Sequence, residues 1–325
     1  MSSLYPLKFK PIFKEKIWGG DKIKTILNKD FSPLSNCGEL WALSGVEGNV
    51  SVVANGFLSG NDLNDLIEIY MDELVGDSVF QKFGNEFPVL IKFLNSKDYL
   101  SVQVHPDDSL ALKRHNTMGK TEMWYIIDSD DDSELIIGLK EGTKKENYID
   151  KLRNGNIKDV LNSVKIAKED VFYIPAGRVH AIGKGVLLAE IQQTSDITYR
   201  IYDWDRVDDK GNTRELHADL ALDAIDFNTE SDYYTHYARL KNIPTEIIQT
   251  PFFNVNNLII DQKQTFDLAL RDSFTIYICI EGVFKIIHNN MEINVSAGEC
   301  VLIPAEINDI TIFPENNILL LEVFQ

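Results

Sequence analysis

A chain of 325 residues with 44% hydrophobic and 25% charged side chains has the composition of an ordinary globular protein and the length for one large domain or two smaller ones. Its formal net charge of −18, from 50 acidic against 32 basic residues, repels nucleic acid and anionic lipid over most of the surface, so an anionic ligand needs a local basic pocket. No apolar run approaches the ~18 residues of a bilayer span, and the longest, 87–94 and 318–324, each carry a Lys or Glu. The first residues lack the apolar stretch of a signal peptide, and Cys37, Cys279 and Cys300 are odd in number with no CxxC spacing. A cytoplasmic location is expected.

Short apolar stretches between Gly, Asn, Asp and Pro clusters predict a mainly β chain. Strands are expected over 50–54, 99–104, 123–127, 135–139, 171–174, 186–191 and 198–202. Helical insertions interrupt them at about 59–83, 143–164 and 214–227. In the first, Leu63, Leu66, Ile67, Tyr70 and Leu74 share a face; in the second, Ile149, Leu152, Val160 and Leu161; in the third, Leu216, Leu220, Ala224 and Ile225. A polar, Tyr-rich stretch over 228–236 leads to a second strand-rich block, which places a boundary between domains 1–235 and 236–325.

An internal repeat links the two blocks. Residues 169–180 (EDVFYIPAGRVH) align without gaps to 298–309 (GECVLIPAEIND). An apolar strand, an Ile-Pro-Ala turn and a second strand are how a small jelly-roll barrel turns a corner, so two such barrels are expected. The second copy has Asp309 where the first has His180.

Strict alternation in 101–105 sends Ser101, Gln103 and His105 to one face and Val102 and Val104 to the other, the pattern of a lined cavity. Pro106 ends that strand, and Asp107 or Asp108 can cap a short helix over 109–114. Lys120 and Glu122 open the next strand on the face of Trp124. An ionised Glu beside an apolar run is costly to bury unless it is paired or bound to a cation. The bland alternative is a surface Lys-Glu pair. With His180 after the Pro-Ala-Gly turn, two imidazoles, a carboxylate and an amide form an N/O set open to zinc, iron or manganese. Arg200 lies mid-strand with Thr198 and Tyr202 on its face, so its guanidinium needs either a carboxylate partner, Asp196 or Asp203, or an anionic substrate. The run 183–188 lacks the third Gly of a dinucleotide fingerprint, and 128–133 lacks the Gly of an EF-hand loop and reads as a solvated hairpin loop.

Taken together, 99–108 (YLSVQVHPDD), 119–122 (GKTE), 174–182 (IPAGRVHAI) and 193–203 (QTSDITYRIYD) resemble the type I phosphomannose isomerases in their shorter bacterial form. The likeness extends to 14–20 (KEKIWGG), 39–44 (ELWALS) and 214–217 (RELH) and so covers most of the chain. The resemblance implies two cupin barrels with metal only in the first, and one zinc per chain held by Gln103, His105, Glu122 and His180. It implies interconversion of mannose 6-phosphate and fructose 6-phosphate, with a small sugar phosphate as partner and neither nucleic acid nor membrane. Arg200, Lys120, Glu190 and Asp196 are then the catalytic candidates, and Ser101, Lys120 and Arg200 the substrate-binding ones. Gly119 stands where longer members carry a His, which leaves Lys120 or Glu190 as the base. The competing readings are an iron-dependent cupin dioxygenase, which has no evident use for Lys120 and Arg200, and a non-catalytic sugar-binding module.

Overall fold

The computed structural model describes residues 4–207, 210–289 and 291–325. Among these the strands form four sheets, whose ladders are all antiparallel. Sheet I runs in the order Tyr199–Tyr202, Val102–Val104, His180–Ile182, Glu134–Leu139, Leu161–Lys165. Sheet II runs Ile12–Lys14, Glu39–Leu43, Val89–Ser96, Val186–Gln193, Glu122–Ser129, Val171–Ile174. In the C-terminal part, sheet III runs Leu7–Lys8, Cys300–Ile303, Thr275–Glu281, Ile318–Phe324, Asn254–Ile260, Thr245–Gln249. Sheet IV runs Gln264–Asp267, Asp309–Pro314, Val283–His288, Met291–Ser296.

Side-chain alternation stacks these sheets as layers. One face of sheet II (Trp124, Phe172, Leu188) packs on sheet I (Leu135, Ile137, Ile182). Its other face (Ile91, Phe93, Tyr125, Ala189) packs on sheet III (Val255, Ile276, Leu302, Leu321). Sheet III in turn buries Leu258, Tyr277 and Leu320 against Phe284, Ile286 and Ile312 of sheet IV. Sheet II is therefore covered on both faces, which is why Val186–Gln193 and Val89–Ser96 are buried at every position. Helices Lys145–Arg153 and Ala218–Ala224 cover the outer face of sheet I through Tyr148 and Ala221.

The two jelly-roll barrels expected from the repeat are not what forms. Among the described residues every sheet keeps two free edge strands and none closes on itself, so the architecture is mixed α/β with open antiparallel sheets. The repeat itself is structural, because Val171–Ile174 and Cys300–Ile303 occupy matching positions, as do His180 and Asp309 at the starts of the following strands. At Pro175 and Pro304 the chain leaves one sheet and enters the facing one. Proline has no amide hydrogen to continue a ladder, so the corner joins two layers without hydrogen-bonding them into a ring.

Other expectations are corrected in detail. The helix expected over 145–164 stops at Arg153, where Gly155 takes a positive φ of 72°, and Leu161–Lys165 is a strand. In the third insertion Ala221 and Ile225 are buried while Leu216 and Leu220 are exposed. Residues 50–54 make only isolated bridges at Val52 and Val53. The acidic run 128–133 is not a hairpin loop: it carries the chain from sheet II to sheet I, and Lys22 clamps it through Asp128 (2.6 Å) and Asp130 (2.8 Å).

Candidate active site and metal centre

The space between sheets I and II holds the site. Val102 and Val104 point into the helix-covered core, which turns Ser101 and Gln103 the other way, into a cavity of about 340 Å³. Pro106 ends the strand, and Asp107 caps helix Asp108–His115 by accepting the Leu110 amide at 2.8 Å. Gly119 then packs against this cap, its amide donating to Asp108 Oδ1 at 2.8 Å. A Cβ there would meet the Asp108 nitrogen at 2.5 Å, so a histidine at 119 has no room unless the Asp107–Asp108 backbone moves. That close approach delivers Lys120 to the cavity lining and Glu122 beside it.

His105, Glu122 and His180 converge there, their ligand atoms within 4.8 Å of one another, and all three are buried. His105 Nε2 lies 3.3 Å from Glu122 Oε1, and His180 Nε2 lies 3.7 Å from Oε2. Each imidazole donates its Nδ1 hydrogen to a backbone carbonyl at 2.8 Å, His105 to Ile197 and His180 to Arg178. That fixes the tautomer and leaves each Nε2 lone pair aimed at the common point. Both Nε2 atoms and both Glu122 oxygens are buried without a hydrogen-bond partner. Oε1 has the Lys120 ammonium beside it at 2.9 Å, but the other three acceptors converge with no cation to join them, which is costly, so the residues fit a divalent metal, and two neutral imidazoles with one carboxylate are a zinc donor set that keeps a position open for substrate.

The electrostatics support this. Burial, then the nearby Lys120, pushes His105 down to about 3, and burial pushes His180 down as well, so both imidazoles are neutral and able to ligate. Burial opposes ionisation of Glu122, but Lys120, its Nζ 2.9 Å from Oε1, is the leading influence against it, and the carboxyl is held well below the usual range.

The remaining candidates line the same cavity: Ser101, Gln103, Lys120, Glu190, Asp196 and Arg200. Gln103 sits opposite His180 and Arg200 in the strand register. Glu190 is buried with Lys92 Nζ at 3.1 Å from Oε1 and Trp124 Nε1 donating to Oε2 at 2.9 Å. Burial and then the Glu122 charge push its carboxyl up. Asp196 sits exposed at the rim. Arg200 makes no salt bridge among the described residues; its Nη1 donates to the Glu215 carbonyl at 2.9 Å and its buried Nε has no partner. Asp203, a partner considered for it, is taken instead by Arg206 and Arg214.

Sequence reading missed Lys92 and gave Arg214 no chemical role. Lys92 is 4% exposed and also donates to Gln192 Oε1 at 2.6 Å. Its signal was a single Lys inside the apolar run 87–94, which is costly to bury unless a carboxylate faces it.

Comparison with known proteins agrees with this geometry. A model of the phosphomannose isomerase type I catalytic domain matches residues 6–148, and one of the mannose-6-phosphate isomerase cupin domain matches 243–320. The probable mannose-6-phosphate isomerase GmuF of Bacillus subtilis is 37% identical over 318 residues, 95% of this chain and 96% of the relative. The chain belongs to the type I mannose-6-phosphate isomerases. Mannose-6-phosphate isomerase ManA of Bacillus subtilis is likewise 37% identical, over 92% of this chain and 93% of its own. The crystal structure of the mannose 6-phosphate isomerase from Bacillus subtilis superposes with a TM-score of 0.87 at 33% identity, covering 98% of this chain and 99% of that one. The buried His-His-Glu triad typical of this family's zinc site is here His105, Glu122 and His180, the one such cluster among the described residues.

Proposed function

We propose that the protein is a zinc-dependent aldose-ketose isomerase that interconverts mannose 6-phosphate and fructose 6-phosphate by moving a proton between C1 and C2. The observation that carries this is the buried triad next to a cavity lined by Arg200, Lys120 and Glu190, with Lys120 of the lining 2.9 Å from Glu122 of the triad. Gln103, His105, Glu122 and His180 would hold the zinc, which when bound supplies Lewis-acid polarisation of the C1 and C2 oxygens. Isomerisation through an enediolate also needs a group that takes a proton from one carbon and returns it to the other. Glu190 suits that role: burial raises its proton affinity, and Lys92 and Trp124 fix its orientation. Lys120, beside Glu122, and Arg200, opposite Gln103, place positive charge over the developing oxyanion. Asp196 at the rim can accept a sugar hydroxyl, and Ser101 can bind the far end of the substrate.

Residues 1–235 would then form the catalytic part and 236–325 a metal-free β part. No helix among the described residues is long and apolar enough to cross a membrane. Three free, buried cysteines support a reducing compartment and hence the cytoplasm. A coupled assay of fructose 6-phosphate formation, run before chelation, after it and after zinc is restored, tests the reading: activity that survives complete metal removal overturns it. Glu190→Gln should lower turnover by about 10²–10⁴-fold with zinc retained and abolish exchange of the C2 hydrogen with solvent. Normal exchange in that variant moves the base role to Lys120.

A further inference from the structure

Strand Tyr199–Tyr202 is an edge of sheet I, paired on one side only, with Val102–Val104. An edge strand leaves alternate amides and carbonyls facing outward without a ladder partner. At Arg200 both are taken by one residue from outside the sheet. The Arg200 amide donates to His217 Nδ1 at 3.0 Å, and the His217 amide donates to the Arg200 carbonyl at 2.7 Å. The Arg200 side chain is met by the same segment, its Nη1 donating to the Glu215 carbonyl at 2.9 Å. Residues 215–217 therefore reach Arg200 at three points. The segment is itself anchored: the His217 carbonyl accepts the Ala221 amide at 2.8 Å at the start of helix Ala218–Ala224, and Ala221 is buried in one core with Val104 and Ile201.

The sheet alone holds Arg200 loosely. Pairing with Val102–Val104 loses its register between Arg200 and Tyr202, and a strand bends and twists at such an irregularity. Arg200 sits opposite Gln103 and both line the cavity, so a shift of this strand moves the guanidinium relative to the residues that would hold zinc. A carboxylate clamp, of the kind Asp203 provides for Arg206 and Arg214, would fix the side chain but also neutralise it. The groups that grip Arg200 are a carbonyl and an imidazole, which orient it and leave its charge for the substrate. An Nδ1 that accepts a hydrogen bond carries no hydrogen, so His217 is here the neutral tautomer protonated on Nε2.

We propose that His217 is a positioning residue for turnover, its Nδ1 lone pair fixing the Arg200 backbone so that the guanidinium reaches the developing oxyanion. The proposal rests on the isomerase reading above and on the part Arg200 has in it. Placement of a reacting or charge-stabilising group is worth a large factor in rate, a shift of about 1 Å costing on the order of 10²-fold, so a residue that never touches substrate can govern kcat through the one that does.

The test uses zinc-loaded protein and mannose 6-phosphate. His217→Phe fills the same space without an acceptor and should lower kcat by about 10–100-fold, with KM within about threefold and zinc content unchanged. His217→Asn carries an oxygen two bonds from Cβ, where Nδ1 stood, and should recover most of that loss. In an Arg200→Met background, where there is no guanidinium left to place, His217→Phe should cost less than about threefold more. Hydrogen exchange at the Arg200 amide, followed by mass spectrometry or NMR, should be at least about tenfold faster in His217→Phe than in the unaltered protein. Unchanged protection of that amide overturns the proposal, as does the same loss of kcat with and without Arg200. Melting temperatures identify a variant that does not fold; should that be His217→Phe, His217→Gln, whose acceptor lies one bond further out than Nδ1, takes its place. Absence of sugar-phosphate conversion by the unaltered protein would count against the isomerase reading, while the exchange measurement still decides whether His217 holds Arg200.

Discussion

The two copies of the repeat show how one β unit serves two ends. In the first, the corner at Pro175 delivers His180 into the space between sheets I and II, where Lys92, Lys120, Glu122 and Glu190 are also buried. In the second, the corner at Pro304 delivers Asp309, which is exposed, and the space between sheets III and IV is filled by Leu258, Ile260, Phe284, Ile286, Ile310 and Ile312. One interior carries orphaned polar atoms and the chemistry that goes with them. The other is mostly hydrocarbon, its one buried carboxylate, Glu322, being satisfied by Tyr277, Arg271 and Asn256, and it contributes stability, with sheet III also closing the back of sheet II. Buried polar groups are costly, and this chain confines most of that cost to one gap.

The comparison breaks at its strongest point if His105→Ala or Glu122→Ala keeps zinc. Each should lose the metal and at least about 10³-fold of turnover, the several kcal/mol that a Lewis acid supplies. Full activity with metal retained would show the triad to be wrongly read. Arg200→Lys should cost at least about 100-fold in turnover at unchanged metal content, the scale of removing one oxyanion-stabilising donor; near-normal turnover would reduce Arg200 to a structural role. On the hydrocarbon side, Phe284→Ala should cost about 3–5 kcal/mol of stability while kcat of the folded fraction is unchanged, as read by denaturant melts beside the assay.

Acid should weaken the polar gap selectively. In zinc-free protein His105 sits at about 3 against 6.5 for an ordinary imidazole, His180 is lowered, and Glu122 is well below 4.5. All three are depressed, so as pH falls the unfolded chain takes up protons before the folded one does. Stability present above about 6.5 therefore declines toward 3, Glu122 adding its share below about 4.5. Melting temperatures of chelated protein between pH 7.5 and 4.5 check this, and a flat profile contradicts it. The smallest effect belongs to Asp309→Ala, which should leave both zinc content and turnover unchanged; a loss of turnover there at unchanged stability would give the second gap a role.

Much of the site was legible because its signals are local. Alternation alone placed Ser101 and Gln103 opposite Val102 and Val104, and the Lys-x-Glu spacing set Lys120 beside Glu122. What stayed hidden depends on long-range pairing. Nothing near Lys92 in the sequence announces that Glu190 faces it from the neighbouring strand, and nothing near Arg214 announces Asp203's choice of partner. The sheets were misjudged for the same reason. The Ile-Pro-Ala corners were visible, but closure depends on hydrogen bonds between edge strands far apart in the chain, and short-range patterns carry no information about those. The helix expected to reach residue 164 failed through a local cue given too little weight, Gly155, whose positive φ ends the helical run.

Strand Leu7–Lys8 pairs with Cys300–Ile303, Leu7 opposite Leu302. This strand therefore has its hydrogen-bonding partner far along the sequence, in Cys300–Ile303. During synthesis this strand has no place to dock until residues 300–303 have left the ribosome, and contacts of such sequence separation slow folding. Until then the apolar back of sheet II lacks the sheet that covers it. Arrival of Cys300–Ile303, more than assembly of the triad, sets when that apolar back can be covered.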